Sequence, residues 1–387
     1  MTRVAPILPP AMLGMLGGGQ LGRYFVIAAR KLGYRVTVLD PDPESPAACM
    51  ADRHLIADFE DPKALAEIAA TCAAVSTEFE NVPASSLARL ASSLRVAPSA
   101  ECVAIAQDRI REKGFFRDSG LPVGAFRAIV SQNDFEEARE FPGILKRARF
   151  GYDGKGQARV ADRAEAVAAW EALGSVPCVL EALVSLDLEV SVVLARSADG
   201  EVRAFPVAEN RHTNGILDVS IAPARVPDSL AAEAVQIAST LADRLGYVGT
   251  LGVEFFVSGG RLFLNEMAPR PHNSGHYTID ACPGDQFEQQ LRALCGLPLA
   301  DAHAFTPAVM VNLLGDIWET ADAGGRPGRA PDWTRVLATP GVRLHLYGKS
   351  EPRIGRKMGH FTVLDASRDV AVDRALALRA ALGVVDG

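Results

Sequence analysis

One stretch constrains this chain more than any other: residues 12–40, MLGMLGGGQLGRYFVIAARKLGYRVTVLD. It runs apolar segment, glycine turn, amphipathic helical segment, apolar segment, and that order specifies a βαβ opening with parallel strands. Alternating strands and helices continue to about residue 105. Within them AAVSTEFENVP (73–83) reads as a third or fourth strand ending in acidic and amide groups. Open parallel sheets collect their binding groups at such strand ends. A charged helical stretch (107–119) leads to GLPVGAF (120–126), a connection into a second unit. There FPGILKRARFGYDGKGQARV (141–160) predicts two short strands around a glycine-rich loop. A helix (162–173) and the strand CVLEALV (178–184) follow. Residues 186–270 are strand-dominated with one helix, GGRPGRAPD (324–332) has the composition of a linker, and the tail carries VRLHLY, a basic turn and FTVLD.

Composition bounds the function. The 387 residues suffice for two or three domains at roughly 150 residues each. With 48% apolar and 22% charged residues the chain is globular, not disordered. A net charge of −7 excludes a general nucleic-acid binder, so an anionic ligand requires a local basic cluster. No apolar run approaches the roughly 18 residues that cross a bilayer, and the N-terminus lacks a signal-peptide pattern, so the expected location is the cytoplasm. The six cysteines (49, 72, 102, 178, 282 and 295) form no CxxC and no Cys/His cluster, and read as reduced, mostly buried small hydrophobes.

Five motifs carry chemistry. Gly17-x-Gly19-x-x-Gly22 after a strand, with Asp40 closing the next strand, has the form of a dinucleotide fingerprint. A helix N-terminus serves any phosphorylated metabolite equally, and a tight turn without ligand gives the same pattern. Lys146 followed by Gly151–Gln157 makes a glycine flap between strands, not a Walker loop. Such a flap can fold its amides over a triphosphate, or be a long hairpin turn with solvated charges. The hairpin LGVEFFVSGGRLFLNE is expected to turn through Ser258–Gly260. Glu254 then faces residue 264, and Glu266 is its diagonal neighbour on the same face. An acid within GVEFFV is costly to bury unless it is paired or metal-bound, though one-sided exposure of the hairpin is the plainer account. Ala268–His276, directly after it, offers Arg270, His272 and Asn273 as donors to a small anion. In the tail Arg343, Lys349, Arg353, Arg356 and Lys357 face the single acid Glu351, as a phosphate clamp or a solvated charge run.

Taken together, GGGQLGR, STEFENVP, KRARFGYDGKGQ, EALV, EFF…LNEMAPRPHNSGH and GRKMGH resemble the 5-(carboxyamino)imidazole ribonucleotide synthases of the ATP-grasp superfamily, in order and from about residue 12 to the end. The resemblance implies an α/β and α+β fold: a Rossmann-like N-terminal domain (1–118), a small lid (119–184) and a larger antiparallel-sheet domain (185–387) ending in a small unit from about 326. It implies ATP-dependent carboxylation of 5-aminoimidazole ribonucleotide with bicarbonate in purine synthesis, ATP and Mg²⁺ as cofactors, and by analogy a homodimer.

The same resemblance implies the residue roles. Arg109 and Lys146 contact nucleotide phosphates beneath the flap Gly151, Tyr152, Asp153, Gly154, Lys155, Gly156 and Gln157. Backbone groups of Glu181, Ala182, Leu183 and Val184 read the adenine edge, Glu189 takes the ribose, and His212 lies near the nucleotide. Glu254 and Glu266 hold Mg²⁺ beside Asn265. Gln20, Leu21, Glu78, Tyr152, Lys155, His272, Asn273, Lys349, Arg356 and Lys357 hold the ribonucleotide. Arg270, His272 and Lys349 are the expected catalytic side chains, with Arg270 and His272 stabilising carboxyphosphate or the carbon dioxide it releases. Lys155 stands where some relatives carry Arg, which trades a bidentate fork for a point charge. The first eleven residues, with Pro6, Pro9 and Pro10, fall outside the family pattern and are expected to be disordered. Three rivals remain at this point, one of them a catalytically silent, nucleotide-sensing protein, which has no need to keep both Glu254 and Glu266. A formate-dependent ribonucleotide transformylase shares the fold but resembles SSSGKGQ and HDTG where this chain has GYDGKGQ and HNSGH. An NAD-linked oxidoreductase explains Gly17–Gly22 and Asp40 but leaves the glutamate hairpin and the flap idle.

Overall fold

In a computed structural model, which describes residues 5–151, 156–318 and 330–383, the opening forms the βαβ unit the sequence specifies. β1 (Met12–Leu16) pairs in parallel with β2 (Arg35–Leu39) across α1 (Gln20–Lys31). α1 buries Leu21, Tyr24, Phe25, Ala28 and Ala29, the helical spacing of a one-sided helix. β3 (Arg53–Leu55), α2 (Pro62–Thr71), β4 (Ala74–Thr77), α3 (Ala84–Ala91), β5 (Arg95–Val96) and α4 (Ala100–Ala106) complete a parallel sheet of order β3-β2-β1-β4-β5. α2 starts where it does because the Asp61 carboxylate accepts from the N–H groups of Lys63 and Ala64, with Pro62 at its first position.

α5 (Arg109–Asp118) leads into the lid, a four-stranded antiparallel sheet of order β6-β9-β7-β8. Its strands are β6 (Phe126–Ile129), β7 (Gly143–Arg147), β8 (Gln157–Val160) and β9 (Cys178–Ala182), with α6 (Arg163–Ala172) between the last two. Ile129, Phe135, Leu145, Cys178 and Leu180 give this sheet a core of its own.

The rest of the chain folds around a nine-stranded antiparallel sheet. Its strands are β10 (Leu188–Arg196), β11 (Val202–Ala204), β12 (Ala208–Thr213), β13 (Ile216–Ala222), β14 (Gly249–Ser258), β15 (Arg261–Ala268), β16 (Ala308–Leu314), β17 (Val342–Leu346) and β18 (Lys357–Leu364). The order is β15-β14-β10-β12-β13-β16-β18-β17, with β11 on the edge of β10. Helix α7 (Asp228–Arg244) covers the end of this sheet that holds β10, β14 and β15, and joins its core through Leu230, Ala234, Ala238 and Leu241. α8 (Thr278–Ala281) and α9 (Gln286–Cys295) follow β15. α10 (Trp333–Ala338) and α11 (Arg368–Ala381) pack on β16–β18. The tail strands β17 and β18 therefore extend the large sheet, through the β16–β18 pairing, rather than forming a sheet of their own. α9 ties the large sheet to the first one: Leu291, Leu294 and Cys295 share a core with Leu13, Met15 and Phe25.

The described part of the N-terminal extension departs from its expectation. Residues 5–11 are pinned to the body, because the Ile7 N–H donates to Cys295 O at 2.8 Å and the Tyr34 hydroxyl donates to Ile7 O at 2.7 Å. Arg95 Nη2 adds a bond to Ala5 O at 2.7 Å. The pairing partners lie far along the chain, which is why the sequence does not reveal them. Residues 1–4 and most of the expected linker (324–332) lie outside the described residues.

Candidate active site

The glycine turn between β1 and α1 presents its amides inward, and two carboxylates already take them. Glu78, at the end of β4, accepts from Gly19 N–H at 2.5 Å and Gly22 N–H at 2.7 Å. Asp40, at the end of β2, accepts from Gly18 N–H at 2.6 Å. Gly17, at φ +98°, makes the turn, and a Cβ there would lie 2.4 Å from Glu78 Cγ. A pyrophosphate at this helix end would meet the Glu78 carboxylate in the place where it must bind. The dinucleotide reading of Gly17–Gly22 is therefore overturned. Burial raises the Glu78 pKa above the usual carboxylate range, against the pull of these two N–H bonds.

The acidic hairpin also differs from its expected register. Ser258 pairs with Arg261, so the turn is the two residues Gly259 and Gly260, at φ +55° and +71°. A bulge then advances β15 by one residue between Phe255 and Glu254, and Glu254 stands directly opposite Glu266 instead of diagonal to it. No glycine marks this bulge, so the sequence concealed it. Each carboxylate meets a basic side chain: Glu254 Oε1 lies 3.1 Å from His272 Nε2, and Glu266 Oε2 accepts from Arg109 Nη1 at 2.8 Å. Burial works against ionisation of Glu266, but the Arg109 guanidinium outweighs it and holds its pKa well below the ordinary range. Glu189, on β10, pairs with His212 Nδ1 at 2.9 Å. Glu189, His212 and Glu254 each offer one ligand atom within 4.8 Å of the others. Asn265 Oδ1 is buried and has no hydrogen-bond partner among the described residues. Two carboxylates and a free amide oxygen form the hard oxygen donor set that suits Mg²⁺.

On the lid side Lys146, on β7, and Lys113, on α5, share Glu181 of β9, each at 3.1 Å. Lys113 is 2% exposed, although REKGFFRD reads as a solvated helix face. The sequence reading missed it because its burial depends on how α5 docks against α4, β9 and β15. Burial lowers the Lys146 pKa, with Glu181 opposing. Glu112, the other buried charge on α5, accepts from Met267 N–H at 2.8 Å, and burial raises its pKa to about 8.

Beyond β15 the Arg270 guanidinium donates to Glu80, and the His272 ring stands over Gly252, where a Cβ would lie 2.6 Å from His272 Cβ. In the tail, Lys349 Nζ donates to Gln20 Oε1 and to Lys357 O, each at 2.7 Å. Burial, with Arg356 beside it, lowers the Lys349 pKa to about 8.

A cavity of about 930 Å³ joins these groups. Gln20, Leu21, Glu78, Arg109, Lys146, Gly151, Gln157, Glu189, His212, Glu254, Asn265, Glu266, Arg270, His272, Asn273, Lys349, Arg356 and Lys357 all line it. Gly156 and the segment Glu181–Val184 do not. The N–H groups of Ala182 and Leu183 are engaged with Ala125 O and Pro142 O, and Glu181 lies inside the ladder that β9 shares with β6 and β7. Arg343 and Arg353 also stay outside, and Arg353 instead pairs with Glu351. Tyr152, Asp153, Gly154 and Lys155 lie outside the described residues.

Comparison with known proteins agrees with this architecture. The chain matches the family models of the ribonucleotide synthetase preATP-grasp domain over residues 11–107, the ATP-grasp domain over 114–287 and the phosphoribosylaminoimidazole carboxylase C-terminal domain over 308–374. The N5-carboxyaminoimidazole ribonucleotide synthase of Brucella melitensis is 43% identical over 360 residues, covering 92% of this chain and 96% of the relative. That of Bacillus subtilis is 39% identical over 367 residues, 94% of each. A crystal structure of an ADP complex of an N5-carboxyaminoimidazole ribonucleotide synthetase superposes with a TM-score of 0.89 at 41% identity, covering 98% of both chains. The Aspergillus clavatus synthase, solved with ADP and 5-aminoimidazole ribonucleotide, gives 0.86 at 30% identity, covering 97% of this chain and 99% of that one. Identity at this level over nearly the full length, matched by the three-sheet architecture, makes the chain a member of the N5-carboxyaminoimidazole ribonucleotide synthase family of ATP-grasp ligases.

Proposed function

We propose that the chain carboxylates 5-aminoimidazole ribonucleotide with bicarbonate at the expense of ATP. The products are 5-(carboxyamino)imidazole ribonucleotide, ADP and phosphate, and the step belongs to purine synthesis. The observation that carries this reading is one cavity of about 930 Å³ lined both by the acidic hairpin with Lys146 and by the basic tail turn. Such a lining offers cations and metal ligands for a triphosphate and a separate basic cluster for a ribonucleotide phosphate. The family's formate-using neighbour is set aside by family membership, and the NAD-linked reading by Glu78.

Bicarbonate is a poor electrophile, so its oxygen attacks the γ-phosphorus of ATP, giving carboxyphosphate and ADP. The exocyclic amine then attacks the carboxyl carbon, or the carbon dioxide released from it, and phosphate leaves. Phosphoryl transfer needs alignment and charge neutralisation more than covalent groups. Lys146 and Arg109 provide fixed positive charge for the phosphates. Glu254, Glu266 and Asn265 would hold Mg²⁺, which when bound supplies further neutralisation of the triphosphate. Arg270 and His272 stand where the carboxyl group is handed over, and Lys349, Arg356 and Lys357 hold the substrate phosphate beside Gln20, Leu21, Glu78 and Asn273. Gly151 to Gln157 exclude water as a flap, and Glu189 with His212 flank the nucleotide, with the 181–184 segment at its base edge. The reading divides the chain at 118 and 184 and extends by family resemblance to a homodimer in the cytoplasm. No helix among the described residues is long and apolar enough to cross a membrane.

The test is ADP release measured with and without 5-aminoimidazole ribonucleotide and bicarbonate. One ADP per carboxylated nucleotide is expected, with formate unable to replace bicarbonate. Formate-dependent product, or ADP release indifferent to the ribonucleotide, would overturn the reading.

A further inference from the structure

His272 lines the cavity, but Ser274 and Gln286, the side chains that hold its ring and its backbone, do not. Its ring is set by Ser274: Nδ1 accepts from the Ser274 hydroxyl at 2.8 Å and lies 3.4 Å from the Ser274 N–H, which leaves Nε2–H for Glu254. Ser274 Oγ is itself 2.7 Å from Ser191 Oγ on β10. The backbone of His272 is set by Gln286, which is fully buried and does not line the cavity. Gln286 Oε1 accepts from His272 N–H at 2.7 Å, and Gln286 Nε2 donates to His272 O at 2.8 Å. One side chain thus satisfies both polar groups of one residue, as a neighbouring strand would. The pair of bonds also fixes which amide atom faces which way, since oxygen must meet the N–H and nitrogen the carbonyl. The second hydrogen on Nε2 points to His276 Nδ1 at 3.0 Å, so that ring accepts there and carries its proton on Nε2.

The mounting of this clamp is rigid. Gln286 is the first residue of α9, which the Asp285 carboxylate caps through Phe287 N–H and Glu288 N–H at 2.8 Å each. Its own carbonyl accepts from Thr250 Oγ1 at 2.8 Å. One turn on, Gln290 Nε2 donates to Ser76 Oγ of β4 at 2.8 Å, which anchors α9 to the first sheet. Gly275 passes so close that a Cβ there would lie 2.8 Å from Gln286 Oε1. Side chains that act on substrate need their own support locked to within about 0.5 Å.

We propose that Gln286 is a positioning residue for the carboxylation: it fixes the backbone of His272 and thereby the place of the His272 imidazole between Glu254 and the ribonucleotide. This rests on the reading that His272 contacts the reacting groups. Gln286→Leu, which keeps the approximate volume and removes all three hydrogen bonds, is expected to lower kcat/KM for the ribonucleotide by about 10- to 100-fold, the cost of a displacement near 1 Å. The calorimetric Kd for ATP should stay within about twofold. The diagnostic comparison is His272→Ala alone and combined with Gln286→Leu. If Gln286 acts through His272, the double variant loses no more than about twofold beyond His272→Ala, whereas a general packing role multiplies the two losses. Should the leucine variant fail to fold, Gln286→Met keeps the unbranched shape without the amide and is expected to give a comparable loss with the same non-additivity. A loss in His272→Ala with none in either Gln286 variant, or multiplying losses, overturns the proposal alone. Near-wild-type turnover in His272→Ala overturns the role of His272 and this one with it.

Discussion

Two sets of carboxylates meet at the cavity, and they are held by different kinds of partner. Asp40 and Glu78, on the first sheet, accept from the backbone N–H groups of Gly18, Gly19 and Gly22. Glu189, Glu254 and Glu266, on the large sheet, face the side chains of His212, His272 and Arg109. A backbone amide in a helix cap cannot move aside, so the first set is a permanent feature of the turn and keeps a phosphate off these amides. A side chain can rotate away, so the second set can exchange its partners for a cation. The same residue type braces a turn in one place and can exchange its partner in the other, and the partner decides which.

The sharpest way to break this contrast is to remove the exchangeable charge. Replacing both Glu254 and Glu266 by Gln is expected to lower ADP release at saturating Mg²⁺ by about 10³-fold or more, given that one electrostatic group in an active site is worth about 10²- to 10³-fold. A double variant within tenfold of wild type would mean that these carboxylates hold no metal. Arg270→Ala comes next, with carboxylation expected to fall by about 10²-fold while the Kd for ATP from calorimetry stays within about twofold. Comparable losses in both would move Arg270 to the nucleotide.

For the fixed set, Glu78→Gln keeps one acceptor for two N–H donors and turns an amide N–H₂ toward them. An unsatisfied buried group of this kind costs about 1–3 kcal/mol, expected as a fall of several degrees in Tm. An unchanged Tm would make the caps dispensable. The smallest effect concerns Glu112. Its pKa is raised by burial to about 8 in the folded chain, so between the unfolded value of 4.5 and about 8 the folded state holds a proton that the unfolded state has lost. Glu112 therefore contributes to stability below that window, and the contribution is lost as pH rises through it. Glu112→Gln, which keeps an acceptor for the Met267 N–H, should flatten the slope of Tm against pH across this range. An identical slope in both proteins would mean that Glu112 titrates normally.

What the sequence disclosed follows from how local each signal is. The βαβ opening, the two lid strands around the glycine flap and the hairpin are written in periodicity and turn residues within short windows, and each forms. The basic tail turn was legible as a charge excess, but which of its cations reach the cavity depends on β18 pairing with β16, and Arg343 and Arg353 drop out. The glycine fingerprint misled because the anion that fills it, Glu78, arrives from a strand 56 to 59 residues away. Lys113, Glu112 and Gln286 were invisible for a related reason. Charged or amide side chains on amphipathic helices read as surface unless the docking partner is known, and here α5 and α9 are each covered on faces that composition leaves polar.

The nine-stranded sheet has a mechanical consequence for the cavity. Glu254 and Glu266 sit near one end of its ladder and Lys357 begins a strand near the other, so the span between them is set by a continuous backbone hydrogen-bond lattice. Lys146 rides on a separate ladder, joined to the first by the Leu264 N–H bond to Pro122 O at 2.6 Å and the side-chain pairs described above. The acidic hairpin and the basic tail thus share one strand ladder, while the Lys146 wall of the cavity meets them across the joint between two ladders.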